Sequence, residues 1–197
     1  MSDPAGLDDL RKAQWHSPPT EIAWNDAGLR FRTGPKTDFW QHTWYGFRRD
    51  DGHFLGLDAP AEFCATVAFD ADYEHLYDQA GIMLRIDAEN WIKAGVEMSD
   101  GVTNVSTVVT RDGVSDWSVI AVPGMRGPQD LRLIRIGTAA LLHHRQPDGI
   151  WQLIRLAAFP EGAAQVGPMG CTPEREGLWV TVTGFEIAPP LDNALHG

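Results

Sequence analysis

Cysteine is scarce. Cys64 and Cys171 are the two in 197 residues, and they form no CxxC pair. That excludes a disulfide-stapled scaffold and a cysteine-rich zinc module. One disulfide between them is the alternative to two free thiols, and free thiols in a reducing compartment are the preferred reading. Long hydrophobic runs are missing as well: none approaches the roughly 20 residues that cross a bilayer. The opening MSDPAGLDDLRK is acidic and has no apolar stretch, so no secretory signal is expected and the compartment is read as cytoplasmic. Positive charge is in deficit. Sixteen Lys and Arg against 27 Asp and Glu leave a formal charge of −11, which argues against nucleic acid or anionic membrane as the main partner. HExxH, GxSxG, Walker and GxGxxG patterns are absent. His143 and His144 are adjacent, so on a strand they point to opposite faces, and His16, His42, His53, His75 and His196 show no ligand spacing. No metal and no cofactor is expected. Asp50-Asp51-Gly52 reads as a turn rather than a calcium loop.

Helical periodicity is also lacking, apart from a weak pattern over 5–15. What is present is turn chemistry between short alternating runs. Asp51-Gly52, Asp100-Gly101, Asp112-Gly113 and Asp148-Gly149 are Asp-Gly pairs, the favoured signal of a two-residue hairpin. Strands are expected over 28–33, 38–47, 62–70, 79–87, 91–98, 104–111, 116–121, 131–137, 139–146, 150–157, 167–171 and 178–187. Many short strands at this spacing predict an all-β sandwich or barrel. The Pro-Pro pairs at 18–19 and 189–190 mark where regular structure starts and stops. The organisation expected is an N-terminal extension over 1–20 packing on or over the sandwich, one domain over 21–190, and a tail over 191–197.

The stretch YDQAGIMLRIDAENWIKAGVEMSDG (77–101) carries the most information. Side chains alternate across a strand. Ala80, Ile82, Leu84 and Ile86 fall on one face of the first run, and Ile92, Ala94, Val96 and Met98 on one face of the second. Both sets should turn to the inter-sheet core. The other face then holds Gln79, Gly81, Met83 and Arg85 beside Trp91, Lys93, Gly95 and Glu97. The short link Ala88-Glu89-Asn90 makes the two runs an antiparallel hairpin. The next strand adds Asn104, Ser106 and Val108, or its other parity, to the same surface. Glycines leave the middle of this face low and long polar side chains rim it, which describes a groove. A plain solvated sheet face is the alternative, with Lys93 and Glu97 in exposed ion pairs of little worth. Eight tryptophans weigh against it. In TDFWQHTWYGF (37–47), Trp40, His42 and Trp44 share one parity and Phe39, Gln41, Thr43 and Tyr45 the other, so neither side is cleanly apolar.

Carboxylates, amides and guanidinium groups bridge paired hydroxyls, while aromatic rings stack on apolar C–H faces; small-molecule sites combine the two. Gln79, Lys93 and Glu97 are the hydrogen-bonding candidates, and Trp40, Tyr77 and Trp91 the stacking candidates. Arg135 and Arg155 are further candidates, each needing a carboxylate such as Glu97, Asp78 or Asp116 if buried. Lys93 beside Glu97 should depress the carboxyl pKa, which suits an acceptor better than a general acid. A glycosidase-like site would need two carboxylates from among Asp78, Asp87, Glu97 and Asp116, flanking one bond.

Taken in order, TDFWQHTWYGF (37–47), YDQAGIMLR (77–85), NWIKAGVE (90–97), STVVTRDGVSDWS (106–118) and GPMGCTPEREGL (167–178) resemble a domain-of-unknown-function family that includes the fungal regulation-of-enolase protein. The resemblance runs from about Trp24 to Ile187, with Thr172 where that family usually has serine. It implies a concanavalin A-like lectin/glucanase fold, a two-sheet antiparallel jelly roll, similar to the sandwich domain appended to some β-xylosidases. By analogy, a ligand is expected at Asp38, Trp40, Tyr77, Asp78, Gln79, Lys93, Glu97, Ser106, Asp116 and Trp117. The E-x-D-x-x-E motif of the glucanases is absent. Three functions are therefore expected in order. The first is a non-catalytic protein binding a saccharide or other small polar ligand. The second is an interaction module that regulates a metabolic enzyme such as enolase. The third is a glycoside hydrolase-like enzyme.

Overall fold

The computed structural model describes residues 5–196; positions 1–4 and 197 of the expected terminal segments lie outside the described residues. Alternation of apolar and polar side chains, broken by turn residues, yields seventeen strands among the described residues. In chain order they are β1 (Ala5–Gly6), β2 (Gln14–His16), β3 (Glu21–Asn25), β4 (Gly28–Arg32), β5 (Phe39–Gln41), β6 (Arg48–Asp50), β7 (His53–Ala59), β8 (Phe63–Ala71) and β9 (Gln79–Arg85). They continue as β10 (Trp91–Ser99), β11 (Val102–Arg111), β12 (Val114–Ala121), β13 (Gln129–Ile136), β14 (Ala139–Arg145), β15 (Trp151–Ala158), β16 (Ala164–Cys171) and β17 (Trp179–Ala188). Among the described residues there is no α-helix. The weak helical pattern near the N-terminus resolves into one 3-10 turn, Asp9–Lys12. Among the described residues, no helix is long and apolar enough to cross a membrane.

The strands form two large antiparallel sheets, the jelly-roll sandwich expected. One runs β15-β14-β13-β8-β17-β4-β3, with β1 added beside β17. The other runs β12-β11-β10-β9-β16-β7-β2, and β5 and β6 make a separate ribbon. The parity assigned to residues 79–98 holds. Ala80, Ile82 and Leu84 of β9 and Ile92, Ala94 and Val96 of β10 are buried in the inter-sheet core with Phe31, Phe63, Val67, Phe69, Leu131 and Leu133 of the opposite sheet. In the hairpin, Ile92 stands opposite Leu84 and Glu97 opposite Gln79.

Turn chemistry is obeyed where two strands meet directly. Asp100 and Gly101 have φ of 52° and 77°, and Asp112 and Gly113 have 50° and 74°. Both pairs thus supply the two left-handed residues of a type I′ hairpin. Asp148-Gly149 closes a longer loop, in which Gln146 N–H donates to the Ile150 carbonyl at 2.7 Å. Asp51-Gly52 is not a hairpin turn. It joins β6 of the ribbon to β7 of a main sheet, and both backbone N–H groups donate to the Asp38 carbonyl, at 3.0 and 2.9 Å.

The other departure is the run 38–47. It is a strand only over β5, after which His42 (φ 57°), Trp44 (φ 63°) and Gly46 (φ 70°) reverse the chain into β6. This ribbon lies over the outer face of the β9–β10–β11 sheet. Phe39 and Trp40 pack there with Phe54, Met83, Trp91, Val108, Met169 and Cys171 in a second apolar cluster. A pocket therefore sits between a sheet face and its covering ribbon.

Candidate ligand pocket

The floor comes from adjacent strands. On β9, β10 and β11, the residues pointing away from the inter-sheet core include Gln79, Lys93, Glu97, Ser106 and Val108. Gly81 and Gly95, opposite each other in the hairpin, carry no side chain to fill the centre. Asp38 reaches the floor from the ribbon. Its carboxylate accepts the Phe39 N–H at 2.8 Å and the Lys93 ammonium at 2.8 Å. Burial alone would push the Lys93 pKa down. The Asp38 carboxylate, with smaller help from Glu97, outweighs it, and the ammonium is held above its ordinary value.

Glu97 is only 4% exposed. Ser106 Oγ donates to its Oε2 at 2.6 Å, and Trp117 Nε1 donates to Ser106 Oγ at 3.0 Å. An indole, a hydroxyl and a carboxylate thus form a short chain that fixes the carboxyl plane. Oε1 has no hydrogen-bond partner among the described residues, nor has the Gln79 amide. The expectation that Lys93 depresses the Glu97 pKa is corrected: burial raises it, and Lys93 and Ser106 only oppose the rise. The ammonium is engaged by Asp38 instead.

Aromatic walls rise on two sides. Trp40 is pinned by its Nε1 donating to the Thr43 carbonyl at 3.0 Å, and its ring meets Tyr45 edge-on at 5.5 Å. Tyr45 packs on Phe47 at 5.4 Å. Opposite, Tyr77 and Trp117 meet edge-on at 6.4 Å. The Tyr45 and Tyr77 hydroxyls approach to 3.4 Å and join the two walls. That contact, with burial second, pushes the Tyr77 phenol up to about 12. Pro173 and Glu174 complete the rim of a cavity of about 180 Å³. His42, Trp44 and Tyr77 (φ 64°) all hold left-handed backbone without being glycine. Such strain gathers in segments that are shaped for a purpose.

Of the residues singled out from sequence, Asp38, Trp40, Tyr77, Gln79, Lys93, Glu97 and Trp117 line this cavity, and Ser106 supports Glu97 from just below it. Trp91 does not line it. It is fully buried beneath the floor, its indole N–H donating to the Ala88 carbonyl at 3.2 Å, so it is no stacking platform. Asp78 is also fully buried. It accepts the N–H groups of Glu74 and His75 at 2.9 and 3.0 Å and the Arg175 guanidinium at 2.5 Å. It clamps the loop carrying Tyr77 to the loop carrying Pro173 and Glu174. Asp116 and Arg155 pair at 2.9 Å between the edge strands β12 and β15, away from the pocket. Arg135 donates to the carbonyls of Gly162 and Pro160 at 2.9 and 2.8 Å, on the other sheet. Val108 lines the cavity too, on the face the sequence assigns it, whereas Tyr45, Phe47, Pro173 and Glu174 are lining residues that the sequence does not mark as ligand groups. Strand parity would put Tyr45 on the face opposite Trp40; the reversal at His42–Gly46 brings the two rings together instead.

A family described as "Protein of unknown function (DUF1349)" matches residues 15–190. Regulation of enolase protein 1 of Saccharomyces cerevisiae is 42% identical over 189 residues, 95% of each chain. A crystal structure of a functionally unknown protein from Saccharomyces cerevisiae superposes with a TM-score of 0.88 at 42% identity, covering 92% of this chain and 98% of that one. A xylan β-1,4-xylosidase from Bacillus halodurans superposes with a TM-score of 0.67 at 11% identity, over 95% of this chain and 39% of the enzyme. At that identity the likeness is one of fold alone.

Proposed function

The chain belongs to the DUF1349 family of proteins of unknown function, and on that footing we propose that it is a non-catalytic binding protein holding a carbohydrate or similar small polar ligand in the pocket over β9–β11. One observation carries the reading. Buried hydrogen-bonding groups, among them Lys93, Glu97 and Gln79, share one small cavity with the rings of Trp40, Tyr45, Tyr77 and Trp117. A sugar ring offers what that combination recognises: hydroxyl pairs at its edge and C–H groups on its face. The free Glu97 Oε1 and the unpaired Gln79 amide are the acceptor and donor left for it. A glycan array probed with the wild-type protein tests this. Selective retention of a narrow sugar class is expected, and uniform silence across the array would overturn it.

A second reading has its own support. The yeast relative is named for regulation of enolase, and the match spans 95% of each chain. Here the protein would act by contact with a metabolic enzyme, and the exposed aromatics beside the pocket, Trp44, Tyr45 and Phe47, are the surface for it. Sedimentation of the purified protein with purified enolase tests this reading. A complex abolished by Trp44→Ala supports it, and independent sedimentation at all concentrations removes it.

A further inference from the structure

We infer that the pocket takes the terminal residue of a neutral oligosaccharide, and that the ribbon tip at Trp44 receives the residue next to it. The inference rests on the saccharide reading above and specifies its ligand.

Neutrality follows from the charges. The lining carries the carboxylates of Asp38, Glu97 and Glu174 against a single cation, Lys93. That cation already donates to Asp38 at 2.8 Å. The nearby Arg175 is drawn off by Asp78 and Glu74, at 2.5 and 3.8 Å. A phosphate, sulfate or uronate entering here would meet carboxylates with no free cation to pair with, in a setting where burial strengthens repulsion.

Terminal recognition follows from shape. The cavity of about 180 Å³ is smaller than the roughly 300–1,000 Å³ of sites for drug-sized ligands, room for one ring rather than a chain. Its rim is built by four separate segments: the ribbon with Trp40, Tyr45 and Phe47, the loop with Tyr77, strand β12 with Trp117, and the loop with Pro173 and Glu174. The Tyr45–Tyr77 hydroxyl contact at 3.4 Å ties two of them together. A polymer passing through would need gaps between these segments, and the Tyr45–Tyr77 contact closes the one between the ribbon and the Tyr77 loop.

The next residue has a surface waiting. Trp44 is 91% exposed and does not line the cavity, yet it belongs to the turn that supplies Tyr45 and Phe47. The turn is braced internally. His42 N–H donates to the Phe47 carbonyl at 2.9 Å and Gly46 N–H to the His42 carbonyl at 2.7 Å. An indole held in solvent on a braced, left-handed turn gains nothing from folding, and large exposed aromatics beside a pocket mark contact surfaces.

The test is calorimetric titration with methyl β-D-glucopyranoside, methyl β-D-xylopyranoside, methyl β-D-galactopyranoside and methyl α-D-mannopyranoside. The linear tetrasaccharide matching each, methyl β-D-glucuronide, and the pair maltotetraose and α-cyclodextrin, one α-1,4-glucan chain with ends and one without, complete the probes. Expected is binding of at least one neutral methyl glycoside and about tenfold tighter binding of its tetrasaccharide, the order of one aromatic contact. The glucuronide and the cyclic probe should bind at least tenfold more weakly than their neutral or linear counterparts. Trp44→Ala should leave the methyl glycoside affinity unchanged and remove the gain with chain length. A methyl glycoside that binds while its tetrasaccharide gains nothing, or a Trp44→Ala protein that keeps the gain, overturns this inference and leaves the saccharide reading standing. Silence of every probe overturns both.

Discussion

The Lys93 ammonium and the Asp38 carboxylate, 55 residues apart in sequence, meet at 2.8 Å with 6% and 13% of their side chains exposed. This contact ties the covering ribbon to the sheet beneath it. It also turns Lys93 into a fixed part of the pocket floor and leaves Glu97 to other partners.

Breaking this pair from one side should be costly. Lys93→Met leaves a buried carboxylate uncompensated, and Asp38→Asn leaves a buried ammonium. Each should lower stability by about 3–5 kcal/mol. The double replacement should cost less than either single one, because no unpaired charge remains. Urea unfolding of the three variants checks this, and additive losses would contradict it.

Glu97 gives a pH signature of opposite sign to that of an ordinary salt-bridged acid. Its folded pKa is raised above 4.5 by burial, so the folded protein holds the proton more tightly than the unfolded chain. The stabilisation is complete below 4.5 and is lost as pH rises through the folded value. Glu97→Gln should therefore be close to neutral for stability in acid and stabilising relative to wild type at neutral pH. Thermal melts of both proteins across that range check the crossing. A variant less stable than wild type at neutral pH would contradict it.

The Asp78–Arg175 clamp is expected to matter to the pocket without touching its contents. Asp78→Asn removes the charge from a fully buried group that holds four donors on two loops. A loss of about 3 kcal/mol or more is predicted, with faster proteolytic cleavage at Pro173–Gly177. An unchanged cleavage rate would show that the loops are held otherwise.

Gly95 should not tolerate alanine. A Cβ there would lie 2.1 Å from the Ala80 carbonyl oxygen and 2.8 Å from its carbon, and backbone cannot move aside as a flexible side chain can. Gly95→Ala should cost about 3 kcal/mol or more, measured by denaturant unfolding. A near-native midpoint would refute the close approach of β9 and β10.

Part of this architecture was legible in the sequence. The alternation over 79–98 is clean because one side packs against the opposite sheet and the other carries Gln79, Lys93 and Glu97, so parity sorted both faces. β7 escaped notice because Phe54 packs in the outer cluster and Leu55 in the inner core. A strand buried on both faces shows no polar alternation. β3, at the edge and mostly exposed, has the converse problem. The pocket was half legible. Its floor follows from strand parity, but its aromatic wall depends on left-handed residues at His42 and Trp44, which reverse the chain where a straight strand was expected. Asp78 looked like a ligand group because its partner Arg175 lies 97 residues away, and nothing local announces that contact.

The central claim is that the cavity over β9–β11 binds a small polar ligand through Glu97. Isothermal titration of wild type and Glu97→Gln with the sugar selected by the glycan array tests it most directly. The account predicts saturable 1:1 heat with wild type and at least tenfold weaker binding by the variant, whose fold is retained. Equal affinity in the two proteins would contradict it.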